Sequence, residues 1–226
     1  MTTPKHTGFA VAIDGPGGVG KSTAARHVAK RLGMTYIDTG AMYRAVALYN
    51  MRNGVDLHDE VAVVASLSQI NINLNKQQII LNGEDITQKI RTQAISEGTS
   101  VIASYAPVRE KLVAVQQKLA ASVEVVMDGR DIASKVLPWA QVKIYLDAVV
   151  DVRAARRAAE LAAKGQSADI TKIREEVMIR DQRDKTRVHS PLIQTADAIY
   201  IDTSNMTLEE VIARIVTHIH SAKGRH

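Results

Sequence analysis

The sequence predicts an α/β domain: a five-stranded parallel sheet flanked by helices. Short apolar runs recur along the chain, helical stretches separate them, and 226 residues suffice for one substantial domain. Strands that alternate with helices of this length imply βαβ crossovers and a sheet covered on both faces. A chain of this size buries roughly 70% of its unfolded surface and needs no disulfide or structural metal to fold.

The first run, Phe9 to Ile13, is closed by Asp14-Gly15-Pro16-Gly17-Gly18 and reads as a buried strand ending in a loop. From Lys21 to Leu32 the chain carries helix formers, with Ala25, Val28, Ala29 and Leu32 on one face and Gly33 as the stop. A strand over Thr35–Ile37 leads to a helix from about Ala41 to Met51. Three further strands fall at Val123–Met127, Val142–Leu146 and Ala198–Ile201. One segment breaks the rhythm. Residues Ile70 to Asn75 alternate apolar and polar, and Gln78 to Gly83 follow a polar turn at Asn75-Lys76-Gln77, so the pair reads as an antiparallel hairpin. A hairpin does not join a parallel sheet by a simple crossover, which places it in a small insertion at about 66–97. Gly165-Gln166-Ser167-Ala168 separates two Arg-bearing helices and is expected to hinge a lid at about 151–187.

Composition narrows the classes. With no cysteine, disulfide frameworks, Cys-ligated zinc and thiol nucleophiles are excluded. The longest apolar stretches, Phe9–Ile13 and Val61–Ala65, are far shorter than the ~20 residues that span a bilayer. No apolar leader follows Lys5, so a cytoplasmic protein without a membrane partner is expected. The formal net charge of +5 suits anionic ligands and equally suits simple solubility; it is modest for a chain that coats nucleic acid. One Trp and one Phe argue against an aromatic platform for single strands, although six Tyr leave one possible.

The residues Gly15, Pro16, Gly17, Gly18, Val19, Gly20, Lys21 and Ser22 match G-x-x-x-x-G-K-[ST], with Thr23 following. The strand before and the helix after are the context that the motif requires. Glycines let successive N–H groups wrap a phosphate, and the helix start adds the positive end of its dipole. Lys21 would reach the β- and γ-phosphates, and the Ser22 hydroxyl would ligate Mg²⁺. The competing interpretation, a glycine-rich turn, leaves the Lys-Ser pair unexplained. A GTPase would need Asn-Lys-x-Asp, whereas Asn75-Lys76-Gln77-Gln78 lacks the aspartate. The leading class is therefore a small-molecule kinase.

Three polar clusters follow strands or lie on a helix: Asp38 to Arg44, Asp128-Gly129-Arg130-Asp131, and Arg180 to Arg187. Asp128 resembles the acidic residue that helps to order Mg²⁺ in such enzymes. Arg180, Asp184 and Arg187 fall at i, i+4 and i+7 on one helix face. Each cluster also has a bland explanation: a solvated pair, a turn, or an N-cap at Thr39. The number of guanidinium groups nearby favours phosphate binding: Arg44, Arg109, Arg130, Arg153, Arg156, Arg157, Arg180 and Arg187.

Taken together, the chain resembles the bacterial cytidylate kinase family. The resemblance rests on Ile13 to Thr23, Asp38 to Arg44, Gly83-Glu-Asp-Ile with Ile90-Arg-Thr92, Val108-Arg109, Asp128 to Asp131, Arg180 to Asp184, and Pro191-Leu with Ala196-Asp-Ala198. Departures are small: Ala133-Ser134 stands where Gly-Thr is usual, and Lys185 and His189-Ser190 are variable-looking positions. The resemblance implies a P-loop kinase core, a helical lid and a nucleotide-binding insertion with a small antiparallel sheet. It implies transfer from Mg²⁺–ATP to CMP or dCMP. Thr39, Tyr43, Arg44, Ser100, Arg109, Arg130, Asp131, Arg180 and Asp184 would line the acceptor pocket. Ser100, Arg109 and Asp131 would face the cytosine, Arg180 and Asp184 the sugar, and Arg44, Arg130 and Arg187 the acceptor phosphate. Lys21, Asp128 and the lid residues Arg153 and Arg157 would serve catalysis, and no histidine would be needed. A monomer acting on small molecules is expected. Rival classes are another small P-loop kinase, acting on a different nucleotide or on dephospho-coenzyme A, and a nucleic-acid-binding NTPase.

Overall fold

The computed structural model describes residues 8–75, 78–163, 165 and 167–224. Five strands form one parallel sheet: β1 (Ala10–Asp14), β2 (Thr35–Asp38), β6 (Val125–Gly129), β7 (Val142–Asp147) and β8 (Ile199–Asp202), in the order β2-β6-β1-β7-β8. A separate antiparallel sheet contains β3 (Ile72–Asn75), β4 (Gln78–Leu81) and β5 (Glu84–Asp85). The helices are α1 (Lys21–Leu32), α2 (Thr39–Arg52), α3 (Glu60–Ser66), α4 (Gln93–Ile102), α5 (Ala106–Ala120), α6 (Val150–Ala162), α7 (Ile170–Thr186) and α8 (Leu208–Lys223). A single π-turn covers Ile132–Val136. No helix among the described residues is long and apolar enough to cross a membrane.

Both faces of the parallel sheet are buried, as its continuous apolar strands require. On one face Val11, Ile13, Val126, Ile144 and Leu146 pack against Ala25 and Val28 of α1 and Ile212 and Ile215 of α8. On the other, Ala12, Ile37 and Met127 meet Ile132, Val136 and Leu137. A third cluster joins α2, α4 and α5 to the antiparallel sheet through Met42, Val46, Ile79, Leu81, Ile102 and Leu112. This last core holds the small sheet against the helices instead of leaving it as a free hairpin.

The structure departs from expectation at four points. The small sheet has a third strand, because Asn82-Gly83 (φ 49° and 89°) turns the chain back after β4. Asn-Gly is a strong hairpin signal, but β5 is only two residues long and shows no periodicity. Helix α2 begins at Thr39, and its cap is Asp38, whose carboxylate accepts from Ala41 N at 2.9 Å. Thr39 is not the cap because its hydroxyl donates to the Asp128 carbonyl at 2.7 Å. Helix α7 ends at Thr186, so Arg187 (ψ 140°) stands past the helix and not on the face shared by Arg180 and Asp184. The expected turn residues Lys76 and Gln77, the hinge residue Gln166, and Lys5 lie outside the described residues.

The phosphate-loop strand ends at the centre of the sheet, where β6 and β7 diverge on either side of β1. Such a reversal opens a crevice beyond the carboxyl ends of the strands. Gly15 leaves β1 with φ 148°, and a Cβ there would lie 2.0 Å from the Leu146 carbonyl oxygen on β7. Gly15→Ala is therefore expected to lower stability by about 2–4 kcal/mol through strain and backbone collision. Denaturant unfolding checks this, and an unchanged midpoint would contradict it.

Candidate active site

The phosphate loop runs from β1 into α1, whose first turn has no side-chain cap. Its N–H groups are left for an anion. Lys21 is buried, and its ammonium donates to the Pro16 carbonyl at 2.5 Å. Burial, and then the neighbouring Arg130 and Arg180, push the Lys21 pKa well below the usual lysine range, against the pull of Asp128 and Asp14. Arg180 is lowered to about 10 for the same reasons, burial first and Arg130 second. These cations repel one another and have room for a polyanion.

Ser22 donates to Asp128 Oδ2 at 2.7 Å, and Tyr36 donates to Oδ1 at 2.8 Å. Burial raises the Asp128 pKa, as does the carboxylate of Asp38 across the β2–β6 register. The Ser22 hydroxyl and the Asp128 carboxylate form a pair of hard oxygen donors. Among the described residues no group of three or more His, Cys, Asp or Glu could hold a metal. Two protein oxygens fit Mg²⁺, which keeps waters and shares phosphate oxygens instead of entering a protein cage.

A cavity of about 530 Å³ opens beside the loop, lined by Gly17, Gly18 and Gly20 to Thr23 on one side and by Arg44, Ser100, Arg130, Arg157 and Arg180 on the others. Its geometry is set by ion pairs behind the lining. Arg130 Nε donates to Asp184 Oδ2 at 2.8 Å. A Cβ on Gly17 would lie 3.6 Å from Arg130 Nη2 and 3.8 Å from Arg180 Cδ, so these side chains face the loop directly. Burial raises the Asp184 carboxyl, but Arg130 and Arg180 outweigh it and hold the group below its ordinary value. Arg44 and Arg91 share Asp38, at 3.7 and 3.1 Å.

Behind this lining lies a second charged cluster. Arg109 is ion-paired with Asp131, donates to the Ala103 carbonyl at 3.1 Å, and stands 5.5 Å from the Tyr43 ring centroid. Burial pushes the Tyr43 hydroxyl up to about 12. Arg187 reaches the same place from beyond α7, 3.7 Å from Asp131 and 4.0 Å from Asp184. The structure thus joins Tyr43, Arg109, Asp131, Asp184 and Arg187 in one buried group, as far apart in sequence as they are.

The remaining candidates are distributed as follows. Gly15, Pro16 and Val19 belong to the loop but do not line the cavity. Thr39 is buried against Asp128. Arg153 lies under the loop, donating to the carbonyls of Ala148 and Gly17 and pairing with Asp181 at 2.6 Å, while Arg157 lines the cavity. Arg156 is held by Thr203, at 3.1 and 2.7 Å, and does not line this cavity.

A family model described as "Cytidylate kinase" matches residues 11–221, from β1 into α8 and across every element named above. The chain belongs to the cytidylate kinase family. Among its relatives, the cytidylate kinase of Geobacillus thermodenitrificans is 46% identical over 218 residues, covering 95% of this chain and 97% of that protein. That of Pelotomaculum thermopropionicum is 45% identical over 218 residues, covering 94% and 96%. Among solved structures, a gluconokinase from Sinorhizobium meliloti 1021 aligns with a TM-score of 0.51 at 14% identity, covering 97% of this chain and 96% of that one. At that identity the likeness shows the fold alone.

Several residues at this cytidylate kinase family site were not singled out from the sequence. Arg26, Arg91 and Arg183 line the cavity, as do Gln93, Glu97, Glu160 and Glu176. Arg91 and Arg183 lie inside stretches that carry the resemblance, whereas Arg26 sits on α1 with ordinary helix-surface spacing. The depressed Lys21 pKa gives a proton-linkage test. Phosphates favour the charged ammonium, so nucleoside triphosphate binding is expected to take up protons increasingly as pH rises through the alkaline range. Calorimetry in two buffers of different ionisation enthalpy reads the uptake; no uptake, or proton release, would contradict the environment assigned to Lys21.

Proposed function

We propose that the chain transfers the γ-phosphoryl group of Mg²⁺–ATP to CMP or dCMP, giving ADP and CDP or dCDP. The observation that carries this reading is the shared cavity: the phosphate loop and the arginines Arg44, Arg130 and Arg180 line one space, so two phosphate-bearing ligands can meet there. Relatives at about 45% identity over nearly their whole length bear the name cytidylate kinase.

The buried cluster supports the choice of base. Cytosine offers an amino donor at C4 beside acceptors at N3 and O2. Asp131 can accept from the amino group while Arg109 donates to the acceptors. Uracil reverses the polarity at C4 and N3 and would leave the carboxylate facing an oxygen, a mismatch that a buried polar site penalises strongly. Ser100 completes this side, Arg180 and Asp184 hold the sugar, and Arg44, Arg130 and Arg187 hold the acceptor phosphate.

The acceptor oxygen is already anionic near neutral pH, so no general base is required, and no histidine lines the cavity among the described residues. Catalysis then comes from alignment and from neutralising a loose, highly charged transition state. Lys21 supplies charge at the β- and γ-phosphates, Arg157 from α6 adds a guanidinium, and Arg153 fixes the loop through the Gly17 carbonyl. Mg²⁺, held through Ser22 with Asp128 behind it, neutralises phosphate charge when bound. The segment at about 151–187 acts as a lid and that at about 66–97 as the nucleotide-binding insertion. Closure of both excludes water. The same reading makes the protein a cytoplasmic monomer acting on small molecules, with no nucleic acid or membrane partner.

ADP release with Mg²⁺–ATP and, separately, CMP, dCMP, UMP, AMP, GMP and dephospho-coenzyme A tests the assignment. Strong turnover with CMP and dCMP and little with the others is expected; turnover only with another acceptor would remove the cytosine roles of Ser100, Arg109 and Asp131. Lys21→Ala should lower kcat by about 10²- to 10³-fold in a folded protein. Asp184→Ala should raise the KM for CMP while ATP still binds, and loss of ATP binding with CMP binding intact would place Asp184 on the wrong side.

A further inference from the structure

At the mouth of the cavity a single amide joins three helices. Gln93, at the start of α4, accepts through Oε1 from Arg157 Nη2 of α6 at 3.0 Å. Its Nε2 donates to Glu97 of α4 at 2.9 Å and to Glu176 of α7 at 3.1 Å. Arg157 Nη1 donates to Glu160 at 3.2 Å. The Nη1/Nη2 fork of Arg157, the pair of nitrogens that grips a phosphate bidentately, is therefore engaged by Gln93 and Glu160. All five side chains line the cavity.

We infer that Gln93 is a positioning residue that holds Arg157 back from the phosphates until an acceptor nucleotide is seated, and thereby restrains phosphoryl transfer to water. The inference rests on the kinase reading above. Helix α4 carries Gln93 and Glu97 at the strap and Ser100 further along the same cavity wall, so an acceptor packed against α4 acts on the helix that anchors the amide. The amide is neutral and its partners are charged. It is strong enough to bias where Arg157 rests and weak enough to yield when phosphates on both sides compete for the guanidinium. In the restrained side reaction, water oxygen bonds to the γ-phosphorus and the bond to the β,γ-bridging oxygen breaks. ADP leaves with the electron pair, and a water proton passes to solvent with inorganic phosphate.

The test measures ADP release from Mg²⁺–ATP, with and without CMP, for the full chain and for Gln93→Ala. Gln93 is exposed, so the variant is expected to fold. The ratio of acceptor-free hydrolysis to CMP-dependent transfer should rise about fivefold, the weight of one net hydrogen bond. In an Arg157→Ala background the same substitution should leave the ratio unchanged, which a merely structural role for Gln93 would not produce. An unchanged ratio in the single variant, or a rise that persists without Arg157, overturns the inference. A parent chain inert towards CMP overturns the functional reading instead, and that result is distinct from CMP turnover with an unaltered ratio.

Discussion

Positive charge is crowded beneath and beside the phosphate loop, and most other features of the molecule answer to that crowding. Burial, Arg130 and Arg180 lower the proton affinity of Lys21, and burial and Arg130 lower that of Arg180, whereas at Arg130 the effect of burial is outweighed by Asp184, which holds it above its ordinary value. At an effective dielectric near 20, two like charges about 5 Å apart repel by roughly 3 kcal/mol. The fold offsets this with carboxylates set one step back: Asp184 for Arg130, Asp38 for Arg44 and Arg91, Asp181 for Arg153 and Asp131 for Arg109. The carboxylates fix where the guanidinium groups stand without entering the cavity in strength, so the site keeps a deficit of negative charge that phosphate groups fill.

The parallel sheet makes that arrangement reachable. Its strands end on one side, and the aspartates at their ends have separate tasks. Asp14 accepts from the backbone N–H groups of Ile132 and Ala133 at 2.8 and 2.7 Å, tying the phosphate-loop strand to the π-turn that follows Asp131. Asp38 caps α2 and orients two arginines. Asp128 gathers Ser22 and Tyr36 through its carboxylate and Thr39 through its carbonyl. The phosphate-loop strand and its neighbours thus share one hydrogen-bonded floor beneath the cavity.

How much of this could be read from residues alone depends on range. The phosphate loop is contiguous, its strand and helix are adjacent, and each glycine carries its own reason, so that part was legible in full. The five strands were legible because buried parallel strands are apolar throughout. Arg187 was misplaced onto α7 because that helix ends without a glycine or proline to mark it. Asp38 and Thr39 are both good caps, and only the distant Asp128 carbonyl, which takes the Thr39 hydroxyl, decides between them. Gln93 and Arg26 carry no local signal at all. Their meaning comes from α1, α4, α6 and α7 converging on one cavity, and the tertiary structure alone supplies that convergence.

The most direct measurement is the affinity of a bisubstrate analogue in which adenosine and cytidine are joined through five phosphates, compared with ATP and CMP alone. If one cavity holds both nucleotides with their phosphates meeting between Lys21 and Arg130, the joined ligand must bind far more tightly than either part. Binding no tighter than that of ATP would contradict this, because it would mean that the phosphate loop and the arginine wall do not serve a shared polyphosphate.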